Sequence, residues 1–461
     1  MYPSDLLVPP SDIQPERNGL GQPGRHSLER LLSPHEVFPI VAEAGAGQPT
    51  WLLAEGWRLF ARPRIDGGEV GQQVEVFTLP DGSIAKASLL ETSRRVTVPF
   101  SFAEAYDNLV SEHWRVGTRQ RGLSGDQLGL YYRVKRFIPR RVQLMARRAL
   151  VRRQGIPDFP AWPLEESLDK LLRFYARCLL LAGGKQELGF DWFWPEPYRA
   201  ALVLTHDVES AEGLRLSIEL ADLEQARGFR SSFNVVARWY PIDEGILREL
   251  LERGFELGVH GVYHDRSMFA SRSAFDSQLP IARELATRID ASGFRSPATH
   301  RIFEWLADLP FDYDCSVPHS DPFEPVPGGC CSLWPFFIGD VVELPYTMPQ
   351  DHTLFTLLGH YSTALWQEQV ERIERLHGLV EVVSHPDRGY LGDRAKRELY
   401  VEFLDAVQQR ETLWKALPRE VAKWWRQRDA GADGAWPIAV GRAWLDDDTG
   451  EVSLEPHAAY R

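Results

Sequence analysis

The chain has 461 residues, with 52 Lys and Arg against 65 Asp and Glu, a formal net charge of −13, and 44% hydrophobic residues. The length argues for two to four domains and the composition for an ordinary globular protein, while the negative balance speaks against general nucleic-acid binding, since a phosphate backbone would be repelled. The opening "MYPSDLLVPPSDIQPERNGLG" has neither the basic nor the apolar region of a signal peptide, and no stretch reaches the roughly 18 uncharged apolar residues of a spanning helix. Four cysteines, Cys178, Cys315, Cys330 and Cys331, are too few and too irregularly spaced for a disulfide framework. The expectation is a cytoplasmic, reduced protein in which Cys330 and Cys331 are buried free thiols rather than a zinc pair.

Residues 1–30 are polar and rich in Pro and Gly and read as an irregular arm. Residues 31–195 read as a separate mixed α+β domain whose role the sequence does not disclose. Its strand-like runs are "EVFPIVAEA", "QQVEVFTLP" and "RRVTVPFSF", and they are followed by helical patterns. "RRVQLMARRALVRR" combines apolar residues at helical spacing with a dense positive face. Either it is a solvated helix, or the basic segment 133–153 makes a peripheral contact with the inner face of a membrane. "PLEESLDKLLRFYARCLLLAGG" is a second amphipathic helix, with Gly183 and Gly184 as its stop.

Past the aromatic threshold "FDWFWPEPYRA" the pattern changes. Seven short apolar runs, "ALVLTHD", "SSFNVV", "FELGVHG", "GFRSP", "YDCSVPH", "DVVELPYT" and "LVEVVSHP", alternate with helical stretches near 211–228, 243–253, 272–290, 300–307, 362–377 and 393–411. Strands alternating with helices predict a parallel sheet. The fold class is therefore α/β, with a distorted (β/α) barrel of about seven strands over residues 196–415. Residues 416–461 read as a C-terminal appendage ending in a hairpin or tail.

Catalytic groups of a β/α barrel sit where its strands end. The first run ends in His206, Asp207 and Glu209, the third in His260 and His264, the fourth in Arg295 and the last in His385. If the chain rolls into a helical turn after Gly261, the two imidazoles four residues apart point to one side and can share an ion. Two histidines and one carboxylate leave an open position on zinc, which is the catalytic arrangement. His206 alternates to the other side of its strand from Asp207 and reads as a satisfied packing histidine rather than a ligand.

These residues resemble the motifs of the polysaccharide deacetylases, carbohydrate esterase family 4 with its NodB-type domain. Thr205-His206-Asp207-Val208-Glu209 stands for the family's T-F-D-D, His260-Gly261-Val262-Tyr263-His264 for H-[ST]-x-x-H, Arg295-Ser296-Pro297 for R-x-P, and His385 for its late histidine. The likeness covers about 200–390. Val208 replaces the second adjacent Asp, which shifts the carboxylate work to an Asp-x-Glu pair, and Gly261 removes a hydroxyl beside the first ligand histidine. The resemblance implies a distorted (β/α) barrel and a metal-dependent hydrolase that removes N-acetyl groups from an amino sugar in a polysaccharide or its precursor. Asp207 would be the base, Arg295 would hold it ionised, and His385 would be the general acid.

The metal ligands would be Glu209, His260 and His264, with zinc favoured over Co2+, Ni2+ or Mn2+. Glu209 has the longer side chain and sits further into the loop, but the roles of Asp207 and Glu209 are open to exchange. The segment from Cys315 to Phe355 reads as a lid or substrate wall, or equally as a Pro-stiffened loop packed on the barrel. Tyr263, Trp334, His319, Asp351 and His352 are candidates to line a sugar site. Two rivals stand beside this reading: hydrolysis of another C–N bond, and a non-catalytic glycan-binding or assembly protein.

Overall fold

The computed structural model describes residues 28–65, 71–115, 145, 147–149, 153, 155–431, 438–446 and 448–457. Most of the expected N-terminal arm, residues 1–27, and most of the basic segment 133–153 lie outside these residues. A short helix α1 (Leu28–Leu32) precedes a six-stranded sheet of β1 (Ile40–Ala42), β2 (Thr50–Ala54), β3 (Trp57–Ala61), β4 (Gln72–Thr78), β5 (Ile84–Leu90) and β6 (Arg95–Val98), in the order β1-β6-β5-β4-β2-β3. Helices α2 (Phe102–Val110) and α3 (Ser167–Gly183) pack on it. Phe77, Phe100, Phe102 and Phe174 meet at that boundary, several of them edge to face, as the ring quadrupole favours. The three strand-like runs read from the sequence contain β1, β4 and β6. The hairpin β2–β3 (Thr-Trp-Leu-Leu-Ala and Trp-Arg-Leu-Phe-Ala) and strand β5 lie outside those runs and lack a clean apolar alternation.

Strand β7 (Glu187–Asp191) leads into the second half. There the sheet contains β8 (Ala200–Val208), β9 (Ser232–Val235), β10 (Glu256–Val259), β11 (Gly293–Phe294), β12 (Tyr313–Asp314), β13 (Phe336–Ile338), β14 (Val341–Glu343), β15 (Leu379–Ser384) and β16 (Leu413–Lys415). Its order is β13-β14-β12-β11-β10-β9-β8-β15, with β16 beside the start of β8, and every pair is parallel except the β13–β14 hairpin. The alternating helices are α4 (Ala211–Gln225), α5 (Glu244–Glu252), α6 (Arg272–Ile289), α7 (Phe303–Leu306), α8 (Ala364–Arg375) and α9 (Arg394–Gln408). All seven strand-like runs and all six helical stretches read from the sequence contain an element of this alternation.

The local causes are plain in β8, whose nine residues are all buried, as expected of a parallel strand covered on both faces. Side chains of Ser210, Asp243 and Ser271 accept backbone N–H groups at the starts of α4, α5 and α6, satisfying donors that have no partner within the helix. Between β14 and β15 the wall is completed by 347–348. Thr347 Oγ1 donates to Leu379 O (2.6 Å) and accepts from Glu381 N (3.0 Å), and Met348 N donates to Glu381 O (3.2 Å). The result is a distorted (β/α) barrel.

After 415, α10 (Pro418–Ala430) packs under β8, β12 and β14. β17 (Val440–Leu445) and β18 (Val452–Pro456) form a three-stranded sheet with β7, in the order β18-β17-β7. Buried Arg428 of α10 donates to the carbonyls of Leu31, Asp191 and Trp192, which ties this segment to the junction of the two halves. All four cysteines are free and buried. Among the described residues no helix is long and apolar enough to cross a membrane.

Candidate active site at the strand ends

Asp207 sits near the end of β8 and is directly paired in register with Asn234 on β9. Asn234 Nδ2 donates to Asp207 Oδ1 (2.9 Å), and a guanidinium nitrogen of Arg295 approaches the same oxygen at 3.3 Å. The Asn234 side chain crosses Gly258 to do this: a Cβ on Gly258 would lie 2.0 Å from Asn234 Oδ1. Burial pushes the Asp207 carboxyl up, but His260 and then Arg295 outweigh it and hold its pKa at about 2.

Arg295, just past β11, is almost fully buried and spends every nitrogen. It donates to Thr205 Oγ1 (2.7 Å), to Asp207, to Cys315 O (2.9 Å) and to Glu381 on β15. Its charge is opposed by burial and sustained by Asp207 and Glu381, which raise its pKa. Glu381 itself is pushed up by burial to about 8, with Arg295 pulling the other way.

Glu209, His260 and His264 come together, with one donor atom from each lying within 4.8 Å of the others. Glu209 stands one residue past β8 and His260 one past β10, two strands away, since β9 lies between them. The imidazole rings of His260 and His264 are 5.3 Å apart. No helical turn follows Gly261. Instead Gly261 takes φ +68°, and a Cβ there would lie 2.7 Å from Pro297 Cδ. Only glycine adopts that conformation without strain while letting the Arg-Ser-Pro segment approach. The missing hydroxyl at this position is thus a backbone requirement.

These residues fit a divalent metal ion. His260 is driven by burial toward its neutral form, with a pKa of about 4, and its Nδ1 lies 3.1 Å from Arg295 O. A proton on Nδ1 donated to that carbonyl leaves the Nε2 lone pair free as a ligand. Glu209 is half-buried, and the partial loss of water raises its carboxyl, but the hydrogen bond and charge of His264 more than reverse this. Glu209 Oε1 lies 3.0 Å from His264 Nε2. His264 is raised in turn: burial opposes its charge and Glu209 restores it. A bound cation would displace that proton, because metal ligands must be deprotonated.

His385 follows β15, which is the immediate neighbour of β8 and not a strand across the barrel. Its Nδ1 lies 2.7 Å from Asp351 Oδ1, and its backbone N–H donates to Asp351 Oδ2 (3.1 Å). Its Nε2 faces Glu209 Oε1 at 3.7 Å. Burial disfavours the imidazolium, but Asp351 and then Glu209 raise its pKa to about 10. Asp387, two residues on, accepts from Glu209 N (2.9 Å) and from the Ser210 hydroxyl, fixing the turn that carries Glu209.

His206 is fully buried between Ser384 Oγ (2.8 Å) and Glu224 Oε1 (2.7 Å), a satisfied packing histidine. Of the candidate sugar-lining residues, Asp351 serves His385, and Tyr263 is 36% exposed beside the donor cluster. Trp334 and His319 do not line the site. Trp334 is buried and donates to His377 O (2.9 Å), and His319 is enclosed between Glu165 N and Ser332 O. The stretch 315–350 is almost wholly buried, which makes most of it packing and not a lid. Arg147 and Arg148, read as part of a basic helix that is either solvated or membrane-facing, turn toward the barrel instead. Arg147 donates to Phe323 O (2.7 Å) and approaches His352 Nε2 (3.1 Å), while Arg148 donates to Thr356 O (2.6 Å).

No family model matches the chain, and no curated protein sequence does. Solved structures with a similar half include the allantoinase Puue (16% identity, 51% of this chain and 93% of that one, TM-score 0.41). A probable polysaccharide deacetylase from Pseudomonas aeruginosa PAO1 is 15% identical over 51% of this chain and 94% of its own, with a TM-score of 0.40. The peptidoglycan deacetylase PdaC from Bacillus subtilis is 11% identical over 51% and 96%, with a TM-score of 0.33. At identities this low, the chemistry has to be read from the residues of the site.

Proposed function

We propose that the protein is a metal-dependent hydrolase that removes N-acetyl groups from an amino sugar. One juxtaposition carries this reading: a Glu209-His260-His264 donor cluster lies between an ionised Asp207 and a protonated His385. Amide hydrolysis needs a base for water and an acid for the departing amine, and the two groups have the charge states those tasks require. A divalent ion held by the cluster, zinc by preference for this His/His/carboxylate set, supplies Lewis acidity to a carbonyl and to water.

Asp207 accepts the proton of the attacking water, whose oxygen bonds to the carbonyl carbon. Arg295 and Asn234 fix the carboxylate and keep it ionised until then. His385 delivers its Nε2 proton to the nitrogen as the C–N bond breaks, giving acetate and a free amine. Asp351 orients the ring and sustains its charge before that transfer, in the manner of a carboxylate behind a catalytic histidine.

The test is acetate release from chitin oligosaccharides by the full chain, before and after chelation and after zinc is restored. Activity lost with chelator and recovered with zinc is the expected result. Turnover of cyclic ureides in place of the saccharides would move the protein to other C–N bonds. A protein that neither binds zinc nor turns over would be a glycan-binding relative of such enzymes.

A further inference from the structure

Asp351, the carboxylate behind His385, also caps a π-helical turn, His352–Leu358, whose first backbone N–H it accepts (2.7 Å). Such turns are rare and collect at functional sites. Two consecutive arginines of the N-terminal half hold this one. Arg148 gives Thr356 O two hydrogen bonds, from Nε (3.1 Å) and from a terminal guanidinium nitrogen (2.6 Å). Thr356 is two residues from the end of the turn, where carbonyls have no partner within the helix. Arg147 approaches His352 Nε2 at 3.1 Å and donates to Phe323 O (2.7 Å), bridging the start of the turn to the buried stretch before it. Tyr390 links the turn to the site, its ring centroid 5.6 Å from that of His352 and 4.7 Å from that of His385.

We propose that Arg147 and Arg148 are positioning residues for the proton-donating side of the site, which makes the N-terminal half part of the catalytic apparatus. The proposal rests on the deacetylase reading and names what keeps its acid in place. Asp351 can orient His385 only while its own backbone stays put, and that backbone runs directly into the turn the arginines hold. The donor cluster does not share this support. Glu209 is fixed by Asp387, and His260 faces Arg295 O, all within the barrel. Loss of the two arginines should therefore loosen the acid and leave the metal ligands in place.

The test compares wild type, Arg148→Ala, Arg148→Lys and the double variant Arg147→Ala/Arg148→Ala as zinc-loaded full chains. The substrates are tri-N-acetylchitotriose, whose nitrogen must be protonated as it departs, and 4-nitrophenyl acetate, whose phenolate leaves without a proton. The double variant should lose about 100-fold in kcat on the trisaccharide, as for a catalytic group displaced by about 1 Å, with KM and zinc affinity close to wild type. Its rate on the ester should change by less than about threefold, because the acid has no task there. Arg148→Ala alone should show the same pattern at smaller size, and Arg148→Lys, which keeps one donor for Thr356 O, should retain most of the amide activity.

Amide hydrogen exchange on the same proteins reads the clamp without catalysis. The backbone N–H groups of His352 and His385, both donated to Asp351, should exchange about tenfold faster or more in the double variant. Unchanged exchange at both would overturn the proposal whatever the activity. Faster exchange with acetate release that stays at the wild-type rate, or that falls equally on both substrates, would overturn it as well. If the wild type releases no acetate, faster exchange in the variant supports the clamp and the deacetylase reading alone fails.

Discussion

Replacing Asp351 with Asn removes the charge behind His385 while leaving an oxygen in reach of its Nδ1. Asp351 is almost fully buried and gives both carboxylate oxygens to His385, one to the ring at 2.7 Å and one to the backbone N–H at 3.1 Å. Burial alone would push the imidazolium toward neutrality, and Asp351 is the largest of the charges that lift it to about 10. An opposite charge in contact shifts a pKa by about 1–3 units, or about 1.4–4 kcal/mol. Without it, the proton should leave His385 that much lower on the pH scale, so activity should fall sooner as pH rises. The assay is kcat/KM against pH, whose alkaline limb reports the essential acid of the free enzyme. In Asp351→Asn that limb should move down by about 1–3 units, with the gap to wild type widest near pH 9 and closing below about pH 6. A limb that stays in place while the rate falls uniformly would refute the assignment of His385 as the acid sustained by Asp351.

Glu256 is buried under the barrel with Tyr313 Oη 2.7 Å away, and burial raises its carboxyl to about 7. A raised folded-state pKa means stability is greatest below the unfolded value of 4.5 and is lost as pH climbs to about 7. Glu256→Gln should therefore be more stable than wild type at pH 8, by about 3 kcal/mol at most, and indistinguishable from it at pH 4 by urea denaturation. An advantage independent of pH would show that ionisation is not its source. Glu112 pairs with buried Arg301, which also donates to Thr299 O and Val326 O (3.1 Å each), so the N-terminal half clamps the loop after Arg295. Glu112→Ala should cost about 3–5 kcal/mol by leaving a buried charge unpaired; a loss under 1 kcal/mol in denaturant unfolding would mean the pair is solvated. Gly261→Ala forces a left-handed backbone and a collision with Pro297, costing about 1–3 kcal/mol. Zinc affinity should fall in a chain that remains folded by circular dichroism, and an unchanged zinc dissociation constant would show that the turn does not set the ligand geometry.

The alternation from Ala200 to Gln408 was legible in the sequence because each parallel strand, covered on both faces, reads as a short, mostly apolar run, and each long helix is amphipathic. The hairpin β2–β3 and strand β5 were not, because the hairpin's strands are only five residues each with adjacent apolar residues and β5 mixes Lys86 and Ser88 with small residues, so neither shows a clean period of two. The donor cluster was visible as ionisable residues at strand ends, and the turn at Gly261 was not, since its cause is Pro297, 36 residues away. Three supporting residues left signals that went unread. Asn234 interrupts an apolar strand, Glu381 sits in the middle of a fully buried one, and Asp387 follows His385 in "SHPD". A polar group in a buried strand needs a partner, and here the partners are Asp207 and Arg295. Which strand neighbours which was beyond the sequence. The last strand of the alternation, β15, which carries His385, lies directly beside the first, β8.

The most direct test of the account is metal analysis of two variants together with their acetate release. Asp207 is held by Asn234 and Arg295, and Glu209 by His264 and the Asp387-braced turn, so the two acids have separate tasks. Asp207→Asn should retain one zinc per chain and lose turnover by several orders of magnitude, while Glu209→Gln should lose zinc first and activity with it. If Asp207→Asn is the variant that comes out metal-free while Glu209→Gln keeps its zinc, the division of labour between base and ligand is contradicted.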